Sequence, residues 1–246
     1  AAAAGLDGGD LTVTGASVGT KQGFSIIKWE SIDWAGNANN RQVPHGLTQS
    51  PDFIVTKGME NAAGWYTYHK DLHATDPNDY YLTLNTTDAV SNLADSWGPN
   101  KPDATTFGDR VLGWTGGQDV IAYLWHDVPG LQKFGKFIGN ANADGPYVEL
   151  GFKPAVVWIK NSTDSGSSDN WACFDNVREG YNVDNDPIYL NKVNAEATTD
   201  MIDLLSNGFK IRGTFSSVNG SNDNMIYCAW AAAPSIDLYG GGANAR

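Results

Sequence analysis

The chain repeats itself, and this limits its fold more than any other feature. Pro51-Asp-Phe-Ile-Val-Thr-Lys57 recurs as Pro154-Ala-Val-Val-Trp-Ile-Lys160, each shortly after a glycine, Gly46 or Gly151. Trp65-Tyr-Thr-Tyr68 recurs as Trp171-Ala-Cys-Phe174, Tyr81-Leu82 as Tyr189-Leu190, and Asp88-Ala89 as Glu196-Ala197. Gly108, Val111 and Gly113 answer to Gly208, Ile211 and Gly213, and Ile121, Trp125 and Pro129 to Ile226, Trp230 and Pro234. The order never changes, and the offset stays between 100 and 108 residues. Chance produces one such match, not a series of them. The protein is a tandem duplication, so one plan must fold twice.

Each unit reads as β-structure, because its short runs of Val, Ile, Tyr, Phe and Trp are bounded by Gly, Asn, Asp and Pro. The first unit predicts strands at Phe24–Trp29, Phe53–Lys57, Trp65–His69, Tyr80–Leu84, Arg110–Trp114 and Val120–Trp125. The second predicts Lys136–Ile138, Ala155–Lys160, Trp171–Phe174, Ile188–Leu190, Phe209–Arg212 and Met225–Trp230. Glu196–Leu205 reads as a short helix closed by Gly208. Many short strands with little helical periodicity predict an all-β chain of two tandem, related, antiparallel β-sandwiches of jelly-roll-like type. They occupy residues 23–130 and 131–234, after an N-terminal connecting segment at 1–22 and before a glycine-rich tail at 235–246. The paired tryptophans, Trp65 with Trp171 and Trp125 with Trp230, read as core residues, since a duplicated fold fills the same volumes twice.

Composition narrows the function. Sixteen basic residues stand against 28 acidic ones among 246, a net charge of −12, and the basic residues are scattered singly. Phosphate neutralisation needs clustered Lys and Arg, so neither nucleic acid nor an anionic membrane surface is an expected partner. Apolar runs such as Val120–Trp125 are too short to span a bilayer. No basic stretch precedes an apolar one near the start, so no signal peptide is visible. With 41% hydrophobic residues the chain is expected to fold rather than remain disordered. Cys173 and Cys228 each lie in an apolar strand pattern and read as buried free thiols.

Motifs for chemistry are absent from the sequence. There is no phosphate loop, no HExxH and no CxxC, so no cofactor or catalytic residue is expected. His69 and His73 are four apart, about 13 Å along a strand, too far for one metal ion, and read as a solvated strand end. Asp184-Asn185-Asp186 and Asn222-Asp223-Asn224 are oxygen-rich, but read as turns rather than calcium loops. Trp34, Trp97 and Trp114 have no partner in the repeat and stand in or beside polar turns. These three are the candidate binding residues, for a subunit contact first and a sugar ring second.

Phe137-Ile-Gly-Asn-Ala-Asn-Ala-Asp-Gly-Pro146, Gly151-Phe-Lys-Pro154 and Leu205-Ser-Asn-Gly-Phe-Lys-Ile211 resemble a repeated domain of structural proteins from marine bacteriophages and cyanophages. Ile121-Ala-Tyr-Leu-Trp125, Pro129-Gly130 and Lys133-Phe-Gly135 look like the junction between its halves, and Leu238–Arg246 is similar to the ends of such proteins. The similarity covers residues 21–246. It implies a non-enzymatic virion protein on the particle exterior, tail-fibre-like or a head-fibre or decoration subunit, and carries no catalytic residues with it. The shortness of the chain beside the long tail-fibre proteins favours a separate subunit. The expected partners are other virion proteins, further copies of the chain in a cyclic homo-oligomer held by the terminal segments, and a host surface glycan. The alternatives are a carbohydrate-binding, lectin-like module and a secreted glycan-active enzyme.

Overall fold

The computed structural model describes residues 5–32, 41–60, 62–100, 102–109, 116–166, 168–178, 182 and 186–233. The described chain forms two units: residues up to Thr83 with Val90–His126, and Leu84–Ala89 with the chain from Asp127 onward. In the first, β1 (Val13–Gly19), β2 (Phe24–Glu30), β3 (Gln42–Pro44), β4 (Phe53–Gly58) and β5 (Tyr66–His69) are followed by β6 (Tyr80–Thr83), β7 (Ser91–Asn92), β8 (Thr106–Gly108) and β9 (Asp119–Trp125). The second contains β10 (Gln132–Ile138), β11 (Tyr147–Glu149), β12 (Pro154–Asn161), β13 (Ala172–Asp175) and β14 (Ile188–Tyr189). There follow β15 (Ile202–Leu205), β16 (Gly208–Ile211), a single helical turn α1 (Ser216–Asn219) and β17 (Asn224–Ala231).

Strand order establishes the duplication. The large sheet of the first unit runs β1-β2-β9-β4-β5-β6-β7, and that of the second runs β10-β17-β12-β13-β14. Without β1 and β7 the two orders coincide. Register coincides as well: Phe53 faces Trp125 and Lys57 faces Ile121, while Val156 faces Trp230 and Lys160 faces Ile226. A smaller sheet accompanies each large one, β3-β8 in the first unit and β11-β16-β15 in the second. All the named pairings are antiparallel.

Successive side chains on a strand point to opposite faces, which decides the core. On β9, Val120, Ala122 and Leu124 are buried and join Ile27, Trp29, Ile54, Tyr68 and Phe107 in the first core. On β17, Met225, Tyr227 and Ala229 do the same with Val157, Ile159, Phe174, Phe209 and Ile211. Glycines of the repeat have physical reasons. Gly46 (φ +70°) and Gly151 (φ +81°) both occupy the left-handed region. A Cβ on Gly108 would lie 2.4 Å from the Trp97 carbonyl carbon, and one on Gly208 2.1 Å from the Val148 oxygen.

Several expectations are corrected. Trp125 and Trp230 stand on the sheet face opposite the core residues of their strands, half-buried among Phe24 and Phe53 and among Phe134 and Trp158. Trp171 is buried, but Trp65, directly before β5, is 37% exposed. The tryptophan positions recur in register, yet they are not four core residues. The register also aligns Thr83, rather than Tyr81, with Tyr189, since Tyr66 pairs with Thr83 and Ala172 with Tyr189. Glu196–Leu205 is not a helix. Ile202 and Leu204 enter the core as strand β15, and Gly208 begins the other arm of a hairpin with β16. Residues 1–22 are more than a connecting segment: β1 is an edge strand on β2, and Leu6 and Leu11 enter the first core. The expected strand at 110–114 and the tail at 235–246 lie outside the described residues.

Candidate functional site

The second unit carries a cavity of about 350 Å³ beside the start of β13. Ser168 and Asn170 lead into β13, Tyr189 ends β14, Lys192 follows it, Thr199 and Met201 precede β15, and Phe215–Ser217 open α1. These segments are irregular, and side-chain amides hold them. Asn191 Nδ2 donates to Asn170 Oδ1 (2.9 Å), Asn191 Oδ1 accepts from the Trp171 N–H (3.0 Å), and Asn170 Nδ2 donates to the Ser168 carbonyl (3.1 Å). Asn161 Nδ2 donates to the Ser216 carbonyl at 3.0 Å. Buried Asn219 donates to the Gly213 and Asn142 carbonyls, both at 2.9 Å, and accepts from the Asn140 N–H at 2.8 Å. A buried amide with this many partners fixes the backbone around it.

The lining chemistry is mixed. The Phe215 ring is 45% exposed. Tyr189 is half-buried, desolvation raises the pKa of its phenol, and the Lys192 ammonium lies 5.7 Å from its ring centroid. Ser168, Thr199, Ser216 and Ser217 line the cavity, and their hydroxyls make no side-chain hydrogen bond among the described residues. Lys192 is the one charged residue among the described lining residues. A cavity of this volume, with two aromatic residues and several hydroxyls in its wall, has room for a small polar molecule.

The second unit holds another polar feature. Lys160 is fully buried, and its ammonium donates to the carbonyls of Asn161 (2.6 Å) and Thr87 (3.2 Å). Burial lowers its pKa to about 8 against the opposing pull of Asp169, Asp88 and Asp164. Asp169 is buried with both carboxylate oxygens unpartnered. A smaller cavity of about 230 Å³ is lined by Asp127, Gln132, Lys133, Leu150 and Phe152 among others. Its Asp127 carboxylate already accepts from the Phe134 N–H at 2.7 Å.

Of the three tryptophans expected to form the site, Trp97 alone lies among the described residues. Trp34 and Trp114 lie outside the described residues. Trp97 is corrected outright: it is fully buried in the first core, edge-on to Tyr68 at 5.8 Å, with its indole N–H donating to the Tyr80 carbonyl at 2.9 Å. The polar turn around it folds under β8, whose Gly108 N–H donates to the Trp97 carbonyl. His69 is fully buried rather than solvated, and His73 lies beyond β5, stacked on Tyr80 at 4.5 Å. Asn222 and Asp223 lie in the turn that leads into β17 at Asn224, with Asn222 at φ +62° and Asp223 accepting from Asn161 Nδ2 at 2.8 Å. Asp184 and Asn185 lie outside the described residues. Among the described residues no group of three or more His, Cys, Asp or Glu is placed to hold a metal ion.

Cys173 and Cys228 are buried free thiols. Both face Trp158 in register, from β13 and β17 on either side of β12. That places them about 10 Å apart, beyond the Cα separation of about 7 Å that a disulfide tolerates. Burial pushes the Cys173 thiol up to about 11 and raises Cys228 well above its ordinary value.

Fold and site define a class: a duplicated antiparallel β-sandwich protein with a polar and aromatic pocket on its second unit. The family model of a domain of unknown function, DUF7483, matches residues 1–234, and the chain belongs to that family. No curated protein and no solved structure matches it.

Proposed function

We propose that the protein is a non-enzymatic structural component of a bacteriophage virion, a tail-fibre-like, head-fibre or decoration subunit on the particle exterior. One observation carries the reading: two sandwiches with the same strand order and register follow one another in a single chain. A repeated rigid module without a shared cofactor motif is how an external appendage gains length and surface. The resemblance of Phe137–Pro146, Gly151–Pro154 and Leu205–Ile211 to phage structural proteins makes it specific. Its partners on this reading are neighbouring virion proteins and further copies of the chain in a closed, symmetric oligomer. Antibody against the protein, applied to purified particles and viewed by electron microscopy, tests the reading. Label at regular positions on the particle surface is expected, and particles free of the protein by mass spectrometry would refute it.

A second reading, carbohydrate binding during attachment to the host, has its own support in the hydroxyl- and aromatic-lined pocket beside β13. It is compatible with the first.

A further inference from the structure

We infer that the pocket of the second sandwich binds a carboxylate-bearing saccharide, a uronic acid unit within a longer glycan. The inference rests on the carbohydrate-binding reading and does not depend on where the protein sits. Sugar recognition needs an apolar ring face to stack on, hydroxyl partners around its edge, and a rigid frame. Phe215 provides a half-exposed ring, and Tyr189 stands in the same wall. Ser168, Thr199, Ser216 and Ser217 supply hydroxyls, each able to donate and accept. The frame is the amide network of Asn170, Asn191 and Asn219. These groups are consistent with any hexose.

The charge selects among hexoses. In a chain of net charge −12, the charged residue lining this pocket is the cation Lys192, and no described lining residue is a carboxylate. Its ammonium lies over the Tyr189 ring, 5.7 Å from the centroid, and forms no ion pair among the described residues. A carboxylate on a bound ring would pair with this ammonium, whereas a neutral hexose would leave it without a counter-charge. A compact, mobile ammonium suits a point charge on a sugar better than a planar, bidentate contact. The four-residue α1 offers no phosphate cradle.

The test uses the full chain and calorimetric titration with three pairs of tetrasaccharides: galacturonate with galactose, mannuronate with mannose, glucuronate with glucose. At least one acidic member should bind about tenfold or more tightly than its neutral partner, a preference that fades as salt screens the pair. Lys192→Met should bring that ratio to about one, and Phe215→Ala should weaken both members about tenfold. Both side chains are exposed, so circular dichroism should confirm intact folding of each variant. Equal binding within every pair, an unchanged ratio in Lys192→Met, or no binding of any probe at about 10 mM would overturn the inference. Such failure leaves the virion reading intact, because that reading is decided on the particle.

Discussion

Asp109 follows β8 directly, and replacing it by asparagine should make the first unit's stability less dependent on pH. Its carboxyl is buried, with Oδ2 accepting from the Trp29 indole N–H at 3.0 Å and Oδ1 without a partner. Burial raises its pKa from 3.8 to about 7, although the Trp29 bond and the nearby Arg41 guanidinium pull the other way. An acid whose folded pKa is raised holds its proton in the native state after the unfolded chain has lost it. The stability it contributes is therefore complete below about pH 4 and drains away as pH rises toward 7. A rise of this size corresponds to about 4 kcal/mol over the whole window, of which about 2–3 kcal/mol falls between pH 5 and pH 8. Asp109→Asn keeps an acceptor for Trp29 and removes the ionisation. Its unpaired amide adds an offset of about 1–3 kcal/mol that does not vary with pH. The measurement is native-state hydrogen exchange of β2 and β9 peptides, which reports the first unit separately from the second. Relative to wild type, the variant should gain about 2–3 kcal/mol between pH 5 and pH 8. A difference that stays constant across that range would refute the reasoning.

Trp97→Ala removes a fully buried indole and its bond to the Tyr80 carbonyl, and should cost about 3–5 kcal/mol in chemical denaturation while leaving saccharide titrations of the folded protein unchanged. Gly108→Ala forces a Cβ to within 2.4 Å of the Trp97 carbonyl carbon, whereas a Cβ on Gly8 meets nothing within 4 Å. The first should lower the unfolding midpoint by the equivalent of about 1–3 kcal/mol or more, and Gly8→Ala should stay within about 0.5 kcal/mol of wild type. Native protein should react slowly with a thiol reagent at pH 8, and unreduced protein unfolded in guanidinium should release both thiols. Recovery of none would contradict the free state of Cys173 and Cys228.

The legible parts of the fold were those that repeat. Pairs such as Lys57 with Lys160 and Trp125 with Trp230 marked the central strands, and the structure aligns them in register. Short, polar-flanked strands such as β7 and β11 escaped, because two or three residues carry no readable alternation. The segment 196–205 misled because Met201, Leu204 and Leu205 satisfy helical spacing as readily as Ile202 and Leu204 satisfy strand spacing over so short a run. Pairing with β16 resolved the ambiguity. The pocket left almost no trace. Phe215 belongs to no periodic run, and it meets Tyr189 and Lys192 only because the turn after β14 closes on α1.

By itself the amino-acid sequence determined that this protein is a duplicated, β-rich, acidic chain with two thiols in apolar strands. Those properties are carried by composition and by local pattern, which survive without any knowledge of contacts. Tertiary structure alone decided which face of each strand became core, so that Trp97 went inside while Trp125 and Trp230 went to the opposite face. It alone decided that the two cysteines stand on either side of Trp158, and that Phe215 before α1 shares one cavity with Tyr189 and Lys192 at the end of β14. Burial and juxtaposition depend on residues distant in the chain, and a local pattern is compatible with more than one such arrangement.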